Sequence, residues 1–143
     1  MPKSTNTCNN ILALIYNATA WANIADNAAS SPITNIYVAL ATASYTATST
    51  MSSNEATYTN YARQAVARST AGWTAPSAKA TSNAAQITFP QCGASGNTIT
   101  SAACGKASGA SDIFHYGDLN ASISVSNLIQ PVFAISSLSI TES

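Results

Sequence analysis

The chain has 143 residues, with five Lys/Arg and five Asp/Glu, so 7% of its side chains are charged and its formal net charge is zero. Ordinary soluble domains carry about 25% charged residues, and without a Lys/Arg run this chain lacks the electrostatic footprint of phosphate-backbone binding. Its longest apolar runs, Ile11–Tyr16 and Ile36–Ala41, fall far short of the roughly 20 residues of a membrane-spanning helix, so neither nucleic acid nor a membrane is an expected partner.

A neutral surface favours association, which points to an assembly component rather than a freely diffusing enzyme. The length suits one domain. Residues 1–8 read as a flexible polar arm, followed by a single β-sandwich domain over 9–143. Ile11, Leu12, Leu14, Ile15 and Ala18 recur at helical spacing, which predicts a short helix at about 9–22 with Thr5 or Asn6 as a possible N-cap. Lys3, the apolar run and Ala18-Thr19-Ala20 imitate a secretory signal, but Asn17 interrupts the run after six residues. A cleaved leader is therefore not expected.

Asp26–Pro32 reads as a turn, and Ile33–Ala41, rich in β-branched and aromatic residues, as a buried strand. Residues 44–57 are polar and read as a long exposed loop. Tyr58–Arg68 alternates, which places Tyr61, Arg63, Ala65 and Ala67 on one face of a strand. Gly72-Trp73 and Pro76 mark a turn. Ala84–Phe89, Thr98–Ala103, Asp112–Leu119, Ile123–Val125, Val132–Ile135 and Leu138–Thr141 complete the candidate strands, separated by Gly-rich turns at 91–97 and 105–111. The fold class read from this spacing is mainly β, a single antiparallel sandwich with a short N-terminal helix.

No motif carries chemistry. Cys8, Cys92 and Cys104 are an odd number with no CxxC. Cys92 and Cys104 could pair across a turn, but buried reduced thiols are the favoured reading. His115 is the only histidine, so no metal site and no cofactor is expected. Asp112 and Asp118 each lie three residues from it, and strand positions three apart point to opposite faces. No G-x-S-x-G elbow or phosphate loop occurs, and no enzymatic activity is expected. The candidate interface residues are Tyr61, Arg63, Trp73 and Trp21, because Arg, Trp and Tyr are enriched at interface hot spots. For Arg63 the alternative is a brace for the loop that carries Glu55. For the aromatics it is a place in the core.

Four islands carry a family resemblance: Ile36-Tyr37-Val38-Ala39-Leu40, Tyr61-Ala62-Arg63-Gln64-Ala65-Val66, Thr81–Pro90 (TSNAAQITFP) and Phe114-His115-Tyr116-Gly117-Asp118-Leu119. Their order resembles small virion proteins of tailed phages, described as head-decoration or tail-fibre-like. The resemblance implies a jelly-roll-like sandwich displayed on the virion. The leading expectation is a capsid decoration (cement) protein on the outer shell, partnered by the major capsid protein and by copies of itself as a dimer or trimer. The alternative is a tail-fibre or receptor-binding module, with Trp73 and Tyr45 stacking on sugars. A secreted carbohydrate-binding or adhesin-like domain is the second alternative.

Overall fold

The computed structural model describes residues 3–21, 24–25, 32–106 and 113–143. The chain is mainly β, antiparallel and sandwich-like, with one short helix and no closed barrel among the described residues. It forms two compact units interleaved in sequence. Unit 1 comprises Met1–Thr34, Val66–Ile87 and Phe133–Ser143, and unit 2 comprises Asn35–Ala65 and Thr88–Val132. The crossings fall beside or within short strands, so no Gly/Pro-rich linker marks them in the sequence.

In unit 1, α1 (Thr5–Tyr16) starts from Ser4, whose Oγ accepts from the Thr7 amide at 3.2 Å. This Ser cap satisfies one of the first-turn amides that no helical carbonyl reaches. The helix thus begins inside the stretch expected to be a flexible arm, and Cys8 is fully buried. It ends at Asn17, short of the predicted 22, where the Asn17 amide closes on Ala13 O and Ala18 turns to φ 55°. Cys8, Leu12 and Tyr16 form its buried stripe, at the i, i+4 spacing of one helix face. A two-stranded ribbon pairs β3 (Ala80–Ser82) with β8 (Ser139–Thr141), Thr81 facing Ile140. The hairpin entering β3 is a two-residue turn, with Ser77 and Ala80 exchanging both backbone bonds at 2.9 and 3.0 Å. Ala78 and Lys79 between them stand at φ 49° and 67°, a geometry suited to Asn-Gly.

Unit 2 holds most of a four-stranded sheet of order β2-β1-β5-β6, from β1 (Asn35–Ala41), β2 (Gln64–Ala67), β5 (Asn97–Gly105) and β6 (Ile113–Val125). β5 lies between β1 and β6, and its residues Ser101 to Cys104 are small and buried. Its partners are Val38 on Cys104 and Leu40 on Ala102 in β1, and Tyr116 on Ala103 in β6. Gly96 lies before β5, where a Cβ would come within 1.8 Å of the Val125 carbonyl oxygen. The third sheet pairs β4 (Ile87–Thr88) with β7 (Val132–Phe133).

Several sequence expectations shift here. Residues 44–57 are not a free exposed loop: Tyr45 and Met51 bury against Ala39, Ala41 and Ala103. In β2 the buried side chain is Val66, while Ala65 and Ala67 face out, because the strand starts only at Gln64. Asp112–Leu119 and Ile123–Val125 are one continuous strand from Ile113, with an irregularity opposite Thr100. Asp112 itself, most of the predicted 26–32 turn and most of the 105–111 turn lie outside the described residues. The three cysteines are buried reduced thiols.

Left-handed backbone costs an ordinary residue about 1–2 kcal/mol. Replacing Ala78-Lys79 by Asn-Gly is therefore expected to stabilise the protein by about 1–2 kcal/mol, read as a higher urea midpoint at unchanged slope.

Candidate functional site

Two of the four sequence-predicted residues, Tyr61 and Arg63, gather around one ion pair in unit 2. The chain returns from the 44–57 segment alongside the end of β1, with Glu55 bridged to Ala41 and the Ala56 amide donating to Leu40 O at 2.8 Å. Glu55 is thereby held where Arg63, just before β2, reaches it with two donors. Arg63 Nε donates to Glu55 Oε1 at 2.7 Å and Nη2 to Oε2 at 2.8 Å. Nη2 also donates to Ser52 Oγ at 3.0 Å. Only a planar guanidinium supplies this parallel fork. The Arg63 side chain is 5% exposed and that of Glu55 20%, and the carboxylate raises the guanidinium pKa further.

Tyr61 completes the cluster. Its hydroxyl donates to Glu55 Oε1 and accepts from the Leu40 amide, both at 3.0 Å. Its ring meets Tyr58 edge-on at 5.3 Å and stacks on Phe89 at 6.4 Å. The Tyr58 hydroxyl donates to Pro90 O. Burial pushes the Tyr45 phenol up to about 12, with the Glu55 charge adding to it, and burial also takes Tyr58 to about 12. Tyr61 is raised further still, again chiefly by burial.

Chemically, this cluster braces. Glu55 is occupied by Arg63 and Tyr61, so neither is poised to move a proton to or from a substrate. Within the chain, Arg63 has the geometry of a brace for the Glu55 loop. Trp73 also turns inward: it is 0% exposed in unit 1, edge-on to Tyr16 at 4.7 Å, and its carbonyl accepts from Asn17 Nδ2. Trp21 is half-buried and exchanges both backbone bonds with Ala25 at 2.8 Å. Tyr45 is only 6% exposed. The expected sugar platform of Trp73 and Tyr45 is therefore absent, because both rings fill the interior. His115 lies opposite Cys104 and Asp118 opposite Ser101, and no group of three metal-ligating side chains forms among the described residues.

Two polar side chains that the sequence reading passed over do comparable work in unit 1. Asn83 is fully buried, and its Nδ2 donates to Ala85 O at 2.8 Å and Ala134 O at 2.7 Å. Its Oδ1 accepts from the Leu138 amide at 2.9 Å. Arg68 Nε donates to Ile15 O at 2.7 Å, Nη1 to Ile33 O at 3.2 Å, and Nη2 to Leu14 O. It thus closes the C-terminal carbonyls of α1, where a cation also suits the helix dipole. Burial lowers its pKa. Asn83 sits inside the TSNAAQITFP island, which was the available signal; Arg68 offered only its rarity.

Several large apolar side chains face solvent. Leu128 is 67% exposed, Ile129 43%, Val132 39%, Ile135 64% and Tyr116 46%.

The family described as "Podophage GP4 fiber I protein gp80" matches residues 6–141. The chain belongs to this family, which places it among phage structural proteins. No curated protein matches the chain.

Replacing Arg63 by Lys keeps the charge but removes the fork, and is expected to cost about 1–2 kcal/mol; Arg63→Ala, which strands Glu55, costs about 2–4 kcal/mol, less than the full penalty of a deeply buried pair. Chemical denaturation at neutral pH reads both. A second outcome concerns alkali. Phenols whose folded pKa is raised add stability that is present below the unfolded value near 10 and is lost as pH rises. Stability is therefore expected to fall between about pH 10 and 12, with tyrosinate absorbance appearing together with the loss of near-ultraviolet circular dichroism.

Proposed function

We propose that this chain is a structural component of a fibre on a podophage virion. The observation that carries the reading is the family match over residues 6–141. It supports the fibre role, first read as the alternative, over decoration of the capsid's outer surface. On this reading the partners are copies of the chain and neighbouring tail proteins rather than the major capsid protein, with neither nucleic acid nor a membrane among them. The chain works without a cofactor and without turnover.

The side-chain arrangement supports a mechanical role. The polar groups that a catalyst would leave available are instead spent on internal bonds: Glu55 on Arg63 and Tyr61, Asn83 on three backbone groups. Among the described residues the large exposed hydrophobic side chains are aliphatic apart from Tyr116, which suits protein contact better than stacking on sugars.

Gold-labelled antibody against the purified chain, applied to particles of the encoding phage, tests the reading by electron microscopy. Label confined to fibres at the tail end is expected. Label spread evenly over the capsid would overturn the fibre role in favour of decoration, and particles without label would overturn both.

A further inference from the structure

Among the described residues, the buried side-chain atoms Asn17 Oδ1, Trp73 Nε1, Tyr45 Oη and Thr100 Oγ1 have no hydrogen-bond partner. A buried polar group without a partner forfeits the bonds it makes to water in the unfolded chain. The Tyr45 and Thr100 hydroxyls belong to unit 2, and each can turn its proton to suit its surroundings. The other two atoms belong to unit 1 and to residues already joined, since Asn17 Nδ2 donates to the Trp73 carbonyl at 3.0 Å. One of them, the indole N–H, only donates, and the other, the amide oxygen, only accepts.

Neither atom is relieved by turning its own side chain. Asn17 is the C-cap of α1, and its backbone amide is held on Ala13 O at 3.0 Å. Exchanging the oxygen and nitrogen of its side-chain amide would set Oδ1 against the Trp73 carbonyl, acceptor against acceptor. The Trp73 backbone is fixed as well, with its amide donating to Ser69 O at 2.9 Å and a bridge to Asn83. Its ring is fully buried and stands edge-on to Tyr16, centroids 4.7 Å apart at 63°. Tyr16 and Asn17 are consecutive, so the end of α1 meets Trp73 twice, once through a ring and once through an amide.

We infer that the end of α1 and Trp73 form a binding site for one internal water, which accepts from Trp73 Nε1 and donates to Asn17 Oδ1. The occupant has to do both. A cation would be repelled by the N–H dipole and an anion by the amide oxygen, while an apolar group would leave both atoms unpaired. It must also be small, because both rings beside it are fully buried. Internal waters take this role, typically with about three bonds to buried groups that have no other partner, and such a bridge is nearly as favourable as a direct bond. The competing arrangement aims the indole N–H at the face of the Tyr16 ring and needs no water. The inference goes beyond the fibre reading and does not depend on where the chain sits on the virion.

Nuclear magnetic resonance on the full chain, together with a high-resolution crystal structure, tests it. The chain holds two tryptophans, and sequential assignment tells their indole protons apart. The Trp73 indole proton is expected to show cross-relaxation with a long-lived water. The crystal is expected to show a water roughly 2.7–3.2 Å from both Trp73 Nε1 and Asn17 Oδ1. An indole proton shifted upfield by the Tyr16 ring current and without contact to water would overturn the inference in favour of the ring contact. A water bonded to one of the two atoms alone, or to neither, would overturn it as well. The antibody experiment on particles has a separate outcome, so the two readings fail independently.

Discussion

Buried backbone groups must find partners, and this chain has few regular ladders in which to find them. Several of its strands are two or three residues long, and much of the rest of the described chain is turn and irregular segment. The constraint is met by a small set of side chains acting as backbone surrogates. Asn83 takes the place of a strand neighbour for Ala85, Ala134 and Leu138. Arg68 takes the place of a further helical turn for Leu14 and Ile15. Tyr61 accepts the Leu40 amide while anchoring to Glu55, which Arg63 holds in turn. Each of these residues has its polar capacity used inside the chain.

That accounting links the charge poverty to the proposed role. A chain with ten formal charges that buries two of them in the Glu55–Arg63 pair keeps a surface of neutral polar and aliphatic groups. Such a surface has little to attract a charged small molecule and little to repel another copy of itself. Of the exposed aliphatics, Leu128 and Ile129 lie on a pinned loop, where backbone bonds to Cys92 and the Gln91 side chain hold them in place. A rigid, neutral and partly apolar exterior suits a building block of a larger assembly, in keeping with the chain's family.

The mainly β class was legible because strand-length apolar runs alternate with Ser/Thr/Asn/Gly turns, and Ile33–Ala41 contains the whole of the observed β1. The helix was legible from its apolar spacing, but its start was not: Ser4 caps it, and Thr5 and Asn6 are equally plausible caps on composition alone. The 44–57 segment misled because Ser and Thr dominate it, while two residues, Tyr45 and Met51, decide its packing. The division into two units left no trace, since each is assembled from separated segments. At the candidate site, Arg63 and Glu55 were both noticed, yet the sequence could not say whether the arginine faces a partner or its own loop. That depends on a backbone turn bringing Glu55 beside Ala41. For Trp73 the sequence left both a core and a contact role open, because an indole serves either equally well, and the structure buries it.

The central claim is that side chains satisfy the irregular backbone as firmly as strands do. Native-state hydrogen exchange of the Leu138 amide tests this most directly, because that amide donates to the Asn83 side chain at 2.9 Å. The account predicts protection comparable to that of the amides in the paired strands β3 and β8. Exchange at the rate of an exposed loop would mean that the Asn83 bonds open freely, and would contradict it.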